Sequence, residues 1–343
     1  MKLKVPSGIG RIGFPLPVSA QAAAVAPNRG FAGGARFVID CLYVAASARD
    51  ARYTRICVAS IRYFYPDVPI KLLVGGPLER GLAEELRRYW DVGVADLPAG
   101  DYGWGFVKLE PLFGRPGERF MVLDSDTVIA GPVLDLWPAD DAAPFLVDDE
   151  VQTDSEIRRL YYDWRHMSQI DREARPPVFV FNSGQWFGTA GVLSRANFSQ
   201  WLDWTMPRQL RYPQIFKQGE QGAFNYVLNE EALIGIEVRR RNIMHWPGNG
   251  MGGLNVPGVA DRSATPLVVH WAGMKKPVLG SMVGADILRF FEYHYYSRLP
   301  GRQLRRLLRG ACYPLDGWQR DLRLRLRHRA RSHRALPTER NPL

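Results

Sequence analysis

The sequence predicts an α/β fold in which a mixed, mainly parallel sheet is flanked by helices. Near-continuous apolar runs at residues 37–46 (FVIDCLYVAA) and 70–74 (IKLLV) are typical of buried parallel strands. A segment with helical periodicity follows each run, at 53–65 and at 82–89. This alternation of strand and helix predicts right-handed crossovers that place helices on both faces of one sheet.

Proline and glycine divide the rest of the chain into further elements. Pro66 ends the first helix, and Gly75 and Gly76 end the second strand. We expect further strands at 92–96, 120–123, 178–181, 185–188 and 267–271, and further helices at 107–113, 198–204 and 221–228. The glycine-rich segment 247–258 has the composition of a loop.

Length and composition favour a globular protein with a sizeable core. The chain has 343 residues, 46% of them hydrophobic, and it has no apolar run long enough to span a membrane. Its three cysteines, Cys41, Cys57 and Cys312, are odd in number and lack metal-ligand spacing. This pattern predicts neither a disulfide framework nor a zinc site, and it favours a reducing, cytoplasmic compartment.

Residues 1–35 are predicted to form a flexible N-terminal arm. Pro6, Pro15, Pro17 and Pro27 interrupt the apolar stretch that a secretory signal requires. We therefore expect a mobile arm rather than an export signal.

Residues 301–343 are predicted to form a basic amphipathic tail. Between 302 and 340, twelve arginines and three acidic residues give a net charge of +9, whereas the whole chain carries +10. Leu304, Leu307 and Leu308 would share one helical face. Such a segment either lies on an anionic membrane surface or is a solvated tail. Because the charge is concentrated there, a general nucleic-acid-binding surface is not favoured.

Two carboxylates follow the apolar run at 120–123. Asp124 and Asp126 are separated only by Ser125. In open α/β sheets, ligands bind beyond the carboxyl ends of the strands, and paired carboxylate oxygens suit a hard divalent cation. A solvated turn is the alternative explanation for this tripeptide.

Three other polar stretches stand at predicted element ends, and each alone has an ordinary structural explanation. The stretch 181–184 (FNSG) ends a strand with an amide, a hydroxyl and a glycine, and 219–222 (GEQG) opens a helix with a carboxylate and an amide. The third, 270–277 (HWAGMKKP), offers an imidazole and two lysines. Together, imidazole and ammonium groups could converge on a metal-bound diphosphate.

In this order and at these separations, the stretches 123–127 (LDSDT), 181–184, 220–221 and 270–277 resemble glycosyltransferase family 8 and its GT-A-fold relatives. The resemblance covers residues 37–277. It implies a Rossmann-like GT-A domain at 36–300 and retaining transfer of a hexose from a nucleotide sugar, with UDP expected. It also implies manganese or magnesium as the cofactor, a glycan or glycolipid acceptor, a role in polysaccharide or lipopolysaccharide biosynthesis, and a peripheral location on the inner face of the cell membrane.

The resemblance also implies roles for individual residues. Metal ligands would be Asp124, Asp126 and His270. Catalytic and sugar-binding residues would be Gln221 beneath the anomeric carbon, Glu220 on the sugar hydroxyls and Asn182 on the donor sugar. Further donor contacts would be Lys276 and Gly273 on the diphosphate, Lys108 near the sugar, and Asp148 or Asp149 as an acidic sugar contact.

Two segments depart from the family pattern. Where the family has acidic residues and an aromatic that read the base, this chain has ASARD at 46–50, so that Asp50 and Tyr53 are the candidates. Gly222 stands where the family usually has an acidic residue. The altered base-reading segment leaves open a catalytically decayed nucleotide-sugar-binding protein. A nucleotidyltransferase, which has a related fold and a metal-aspartate site, is a further alternative, but it does not explain the stretch 270–277.

Overall fold

A computed structural model describes residues 39–103, 105–265, 267–275 and 278–313. The predicted arm at 1–35, Lys276 and most of the basic tail lie outside the described residues. The predicted domain boundaries therefore stay predictions. Among the described residues, no helix is both long and apolar enough to cross a membrane.

The described strands and helices follow the predicted alternation. The strands are β1 (Cys41–Ala46), β2 (Ile70–Val74), β3 (Val92–Val94), β4 (Arg119–Asp124), β5 (Thr127–Ile129), β6 (Phe145–Asp148), β7 (Gln185–Thr189), β8 (Leu202–Asp203), β9 (Gln209–Leu210), β10 (Val238–Arg241), β11 (Met244–His245) and β12 (Val268–His270). The helices are α1 (Ala51–Phe64), α2 (Leu82–Trp90), α3 (Asp154–Leu160), α4 (Trp164–Met167), α5 (Arg195–Phe198), α6 (Glu220–Leu233), α7 (Val256–Ala260), α8 (Ala285–Ser297) and α9 (302–313). Short 3-10 helices occur at Ala48–Asp50, Phe106–Phe113, Val133–Leu136, Pro247–Asn249 and Leu279–Ser281.

Seven strands form the main sheet, in the order β10-β6-β7-β4-β1-β2-β3. Neighbouring strands are parallel except around β7, which runs antiparallel to both β4 and β6. One buried apolar cluster includes α1 and α8, and a second includes much of α6. The predicted mixed, mainly parallel sheet flanked by helices is therefore confirmed.

A second sheet has the order β11-β12-β5. Strand β12 runs antiparallel to β5, and His270 is the register partner of Thr127. Only two residues separate β4 from β5, so the chain passes from the main sheet to the small sheet within the Asp124–Ser125–Asp126 turn. This passage determines where the candidate site lies.

The predicted strand at 178–181 makes only an isolated bridge, between Val180 and Glu150. Its backbone amides are used instead by side chains of α6. The amides of Val178 and Phe179 both donate to Asn229 Oδ1, at 2.8 and 3.3 Å. Asn229 Nδ2 donates back to the carbonyl of Phe179. The backbone hydrogen-bonding groups of this segment are thus paired without a strand on that side, because buried amide side chains take the place of a neighbouring strand.

The predicted helix at 198–204 is wrong. Helix α5 ends at Phe198, and β8 follows and pairs with β9. The backbone amide of Arg211 donates to the carbonyl of Trp201 at 2.8 Å, and Arg211 Nε donates to the carbonyl of Leu202. The segment predicted to be a loop at 247–258 also contains a 3-10 turn and the start of α7.

Candidate active site

The two aspartates lie in the turn that joins the two sheets. Thr127 Oγ1 donates to the carbonyl of Asp124 at 2.7 Å, which closes the turn. The amide of Trp271 donates to the carbonyl of Asp126 at 3.0 Å. Since this bond continues the pairing of β5 with β12, it places His270 directly beside the turn.

The side chains of Asp124, Asp126 and His270 converge, and we call these three residues the cation site. Each offers a ligand atom, and these atoms all lie within 4.8 Å of one another. His270 Nε2 is 3.3 Å from Asp126 Oδ1 and 3.8 Å from Asp124 Oδ2. Asp126 and His270 are buried, whereas Asp124 is partly exposed. Two carboxylates and an imidazole are donors that fit a divalent cation such as Mn²⁺ or Mg²⁺.

Gly184 permits this convergence. A Cβ at this position would lie 2.2 Å from His270 Cε1 and 2.8 Å from Asp124 Oδ2. Its carbonyl also accepts a hydrogen bond from the amide of Asp124 at 2.7 Å. Glycine is required here because the backbone just before β7 passes directly against the cation site.

Lys275 joins the cation site to the segment around Asp50. Its Nζ lies 2.8 Å from Asp50 Oδ1 and 3.2 Å from Asp126 Oδ2. Ser47 Oγ donates to the other oxygen of Asp50 at 2.9 Å. Burial works to raise the pKa of Asp126, but nearby His270 and Lys275 lower that pKa well below its usual range. Asp126 is therefore a carboxylate at neutral pH.

A second group of polar side chains lies beneath the cation site: Lys108, Ser183, Glu220 and Gln221, which we call the buried polar cluster. Lys108 Nζ lies 2.6 Å from Glu220 Oε1, 3.1 Å from Asp124 Oδ1 and 3.1 Å from Ser183 Oγ. Ser183 Oγ donates to Glu220 Oε1 at 2.7 Å. Lys108 thus links the buried polar cluster to the cation site through Asp124.

Burial and ion pairing compete within this cluster. Burial alone would lower the pKa of Lys108, but Asp124 and Glu220 raise that pKa above its usual value. For Glu220, burial prevails over the nearby ammonium, and its pKa is raised. Gly105 makes room for Glu220, since a Cβ at Gly105 would lie 1.6 Å from Glu220 Oε2.

Gln221 and Asn182 flank the cluster. Gln221 Oε1 accepts from the amide of Ser183 at 3.2 Å, and its Nε2 donates to the carbonyl of Leu160 at 3.1 Å. The orientation of the Gln221 amide is therefore set at both ends. Asn182 is half-buried, and its Oδ1 accepts from the amide of Gly184 at 2.8 Å.

The other predicted donor-binding residues lie in varied surroundings. Gly273 has φ +71° in the turn that follows β12. Tyr53 is only 6% exposed and its hydroxyl contacts Met282 Sδ, so it packs in the core. Asp149 is half exposed and pairs with Arg240 at 3.6 Å.

Asp148, the other acidic candidate, is buried at the end of β6. It accepts hydrogen bonds from the amides of Ile243 and Met244, at 2.7 and 3.0 Å. Burial raises its pKa to about 7. These bonds hold the segment between β10 and β11, and no described contact joins Asp148 or Asp149 to the cation site.

Sequence reasoning missed Gln185 and understated two other residues. Ser183 appeared only as part of a motif, and Lys275 only as one of two positive charges. The signal that could have found Gln185 is an amide at the first position of a strand with a buried apolar pattern. Gly222, which departs from the family pattern, has a structural reason: a Cβ there would lie 2.2 Å from the carbonyl oxygen of Tyr161.

Comparison with solved structures supports the fold. The apo structure of the bifunctional glycosyltransferase WbbM aligns with a TM-score of 0.50 and 13% identity, over 76% of this chain and 51% of that one. The protein has a GT-A glycosyltransferase fold. At this level of identity, the likeness concerns the fold alone.

Two further structures are similar to this chain at lower TM-scores. The galactosyltransferase LgtC in complex with donor and acceptor sugar analogues aligns at 0.49 and 15% identity, over 74% of this chain and 95% of that one. The inositol-1-phosphate CTP transferase from T. maritima aligns at 0.40 and 12% identity, over 74% and 97%. No family model and no curated protein sequence matches the chain.

Proposed function

We propose that this protein is a metal-dependent retaining glycosyltransferase, similar to family 8, that moves a hexose from a UDP-sugar to a glycan or glycolipid acceptor. The observation that carries the proposal is the convergence of Asp124 and Asp126 with His270, more than 140 residues later in the chain, within 4.8 Å of one another. An ordinary turn between β4 and β5 would not need the pairing of β12 with β5 that brings His270 to it. That pairing is a direct way to build a site for a divalent cation.

Asp124, Asp126 and His270 would hold the cation, which we take to be Mn²⁺ or Mg²⁺. When bound, such a cation stabilises the negative charge that develops on a diphosphate leaving group. Lys275, whose ammonium already lies at Asp126, adds positive charge at the same place. We assign the same role to Lys276 and a backbone contact to Gly273, at the diphosphate.

The buried polar cluster would support the donor sugar. The carboxylate of Glu220 is engaged by Lys108 and Ser183, so it is held as a positioning group rather than a free nucleophile. Gln221 presents a fixed amide dipole, which suits electrostatic support of an oxocarbenium-like sugar. Asn182 would contact the sugar hydroxyls. Retention then follows from attack by the acceptor on the same face that the diphosphate leaves, with a phosphate oxygen taking the acceptor's proton.

Base recognition would rest on Asp50. Its carboxylate is held by Ser47 and Lys275 beside the cation site, whereas Tyr53 is packed in the core. Asp149, predicted as a sugar contact, is half exposed and paired with Arg240. We therefore place the base at Asp50 and propose UDP as the nucleotide.

We also propose a cytoplasmic location on the inner face of the membrane, where an anionic surface would attract the arginine-rich tail. Helix α9 supports this proposal, because Leu304, Leu307 and Leu308 are each more than half exposed on it. Exposed leucines among arginines suit the interface of an anionic leaflet.

The test is turnover of the donor. We expect the full chain to hydrolyse a UDP-hexose slowly with Mn²⁺ and to release UDP faster when an acceptor is present. The Asp126→Asn variant should lose at least about 100-fold of this activity, because one carboxylate of the cation site is gone. Asp140→Asn, which changes an exposed carboxylate between Val133–Leu136 and β6, is the matched control.

Two results would contradict the proposal. Binding of UDP-sugars without any turnover would favour the catalytically decayed alternative. Release of pyrophosphate from a nucleoside triphosphate and a sugar phosphate would identify a nucleotidyltransferase.

A further inference from the structure

Gln185 is a fully buried amide in a strand that otherwise packs as core. It is the first residue of β7, it pairs in register with Leu123 of β4, and it is 0% exposed. Its Oε1 lies 3.0 Å from Nδ1 of His270, which belongs to β12 of the other sheet. Gln185 is therefore a hydrogen-bonding link from the main sheet to the imidazole of the cation site.

The amide is costly at this position. Gln185 Nε2 is buried and has no hydrogen-bond partner among the described atoms. A buried donor without a partner lowers stability, and an apolar side chain would avoid the loss. An amide at this position is therefore better explained by what its oxygen does for His270 than by packing.

The hydrogen bond determines which imidazole nitrogen carries the proton. When Gln185 Oε1 accepts from Nδ1, the neutral ring has its lone pair on Nε2. That nitrogen is the one that lies 3.3 Å from Asp126 Oδ1 and 3.8 Å from Asp124 Oδ2. The reverse orientation of the amide would donate to Nδ1 and place the proton on Nε2, where it would occupy the space between the imidazole and the carboxylates.

We propose that Gln185 is a positioning residue that holds the His270 proton on Nδ1 and thereby keeps the Nε2 lone pair available to a cation. The proposal rests on the proposed function only for the identity of the ligand. Without a cation, the Asp126 carboxylate, 3.3 Å from Nε2, competes for the proton, so the hydrogen bond from Nδ1 to Gln185 is judged with Mg²⁺ present.

Three variants test this proposal in the full chain. Gln185→Met has similar length but cannot accept a hydrogen bond, and Gln185→Glu keeps the acceptor. Gln169→Met, at an exposed glutamine, is the control. The first measurement is the pair of side-chain ¹⁵N shifts of His270 during a titration with Mg²⁺, which is diamagnetic. The second is Mn²⁺ binding without nucleotide, followed by electron paramagnetic resonance.

We expect the wild type and Gln185→Glu to keep the proton on Nδ1 while the Nε2 shift changes as Mg²⁺ binds, and Gln185→Met to need more Mg²⁺ for the same change. Mn²⁺ binding should weaken roughly 10- to 100-fold in Gln185→Met and remain at least at the wild-type level in Gln185→Glu and Gln169→Met. A role in packing alone would not move the ¹⁵N shifts in this way. Thermal unfolding identifies any variant that does not fold. If Gln185→Met does not fold, Gln185→Glu still tests whether a hydrogen-bond acceptor at this position supports Mn²⁺ binding.

Two outcomes would overturn the inference: a wild-type His270 that stays protonated on Nε2 at saturating Mg²⁺, or a Gln185→Met variant that binds Mn²⁺ as the wild type does. A different outcome would separate the two proposals. If Mn²⁺ binding depends on Gln185 as expected and yet no UDP-sugar is turned over, the positioning by Gln185 stands and the function proposed above fails.

Discussion

At the scale of single residues, Gly184 shows how closely the backbone just before β7 approaches the cation site. Only hydrogen occupies the space where a Cβ would meet the imidazole of His270. The residue is thus specified by a contact with a side chain more than 80 positions away, although in the sequence it is simply the glycine that ends the FNSG stretch.

We expect Gly184→Ala to weaken Mn²⁺ binding more than tenfold and to destabilise the fold by about 1–3 kcal/mol, because the added methyl displaces His270 or Asp124. Mn²⁺ titration and urea unfolding measure the two effects. Gly76→Ala is the control, since a Cβ there would meet nothing within 4 Å. Equal Mn²⁺ affinity in the two variants would contradict the close approach.

Lys108 is the buried cation on which the polar cluster depends. We expect Lys108→Met to lower the free energy of unfolding by about 3–5 kcal/mol, because it leaves Glu220 buried without its partner. Lys108 lowers the pKa of buried Glu220, so its removal raises that pKa further and makes folding of the variant take up more protons than folding of the wild type. The loss should therefore grow as the pH rises from 6 to 8. Urea unfolding at the two pH values measures it.

Two comparisons isolate the ion pair. Lys71→Met, at an exposed lysine of β2, should change stability little. The double variant Lys108→Met/Glu220→Gln should recover most of the loss at pH 8, because position 220 then carries no buried charge without a partner. A double variant no more stable than Lys108→Met would show that the lysine matters through packing and not through charge.

At the scale of elements, the short strand β12 completes the cation site, and α9 is attached to the domain by a buried charge. Glu85 of α2 accepts hydrogen bonds from Arg309 of α9 at 2.5 and 2.9 Å, and from Arg55 and Tyr295. The start of the predicted basic tail is therefore a helix packed against α2 through two of its arginines, Arg305 and Arg309.

We expect Glu85→Gln to destabilise the chain by about 3 kcal/mol and to speed amide exchange in 302–313, because Arg309 and Arg55 lose their shared carboxylate. Burial opposes the charge, but hydrogen bonds from Arg309, Tyr295 and Arg55 bring the pKa of Glu85 down to about 2. Because the pKa of Glu85 is lower in the folded chain than in the unfolded chain, the carboxylate stabilises the fold at any pH above its unfolded pKa. The difference in unfolding free energy between wild type and variant should therefore shrink as the pH falls from about 4.5 toward 2.

The neighbouring Glu84 provides the control for this prediction. Its pair with Arg87 is exposed on both sides, so Glu84→Gln should leave the exchange of 302–313 unchanged. Faster exchange in both variants would mean that α9 is not held through Glu85.

At the scale of the whole molecule, the charge is unevenly distributed. Nearly all of the net charge of +10 belongs to residues 302–340. Within that segment, Arg305 and Arg309 turn to Glu85, whereas the three leucines of α9 are exposed. A membrane-binding role would therefore combine the leucine face of α9 with the arginines beyond it.

We expect the full chain to float with anionic vesicles and not with zwitterionic ones. A chain that ends at residue 313 should float less, because each arginine near an anionic surface adds about 1 kcal/mol. A full chain in which Leu304, Leu307 and Leu308 are changed to Ser should also float less, because it loses the buried apolar area. Equal flotation of all three would rule out membrane binding by the tail.

Much of the fold could be predicted because its signals are local. Apolar runs of strand length and helical periodicity are properties of neighbouring residues, so β1, β2, β4, α1, α2 and α6 lie close to their predicted positions. The segments at 178–181 and 198–204 were harder because distant residues decide them. Asn229 takes the backbone bonds of the first, and Arg211 binds the backbone of the second.

The sequence by itself determined the α/β class, the order of the elements from β1 to β4 and the placing of carboxylates, amide and imidazole at element ends. Only the tertiary structure decided how these groups meet: His270 beside Asp126 through the pairing of β12 with β5, Lys275 on Asp50, and Gln185 on His270. The physical reason is that residue type and periodicity are local, whereas a side chain's partner depends on which distant strands pair. A one-residue change of register between β5 and β12 would turn His270 to the opposite face of its sheet.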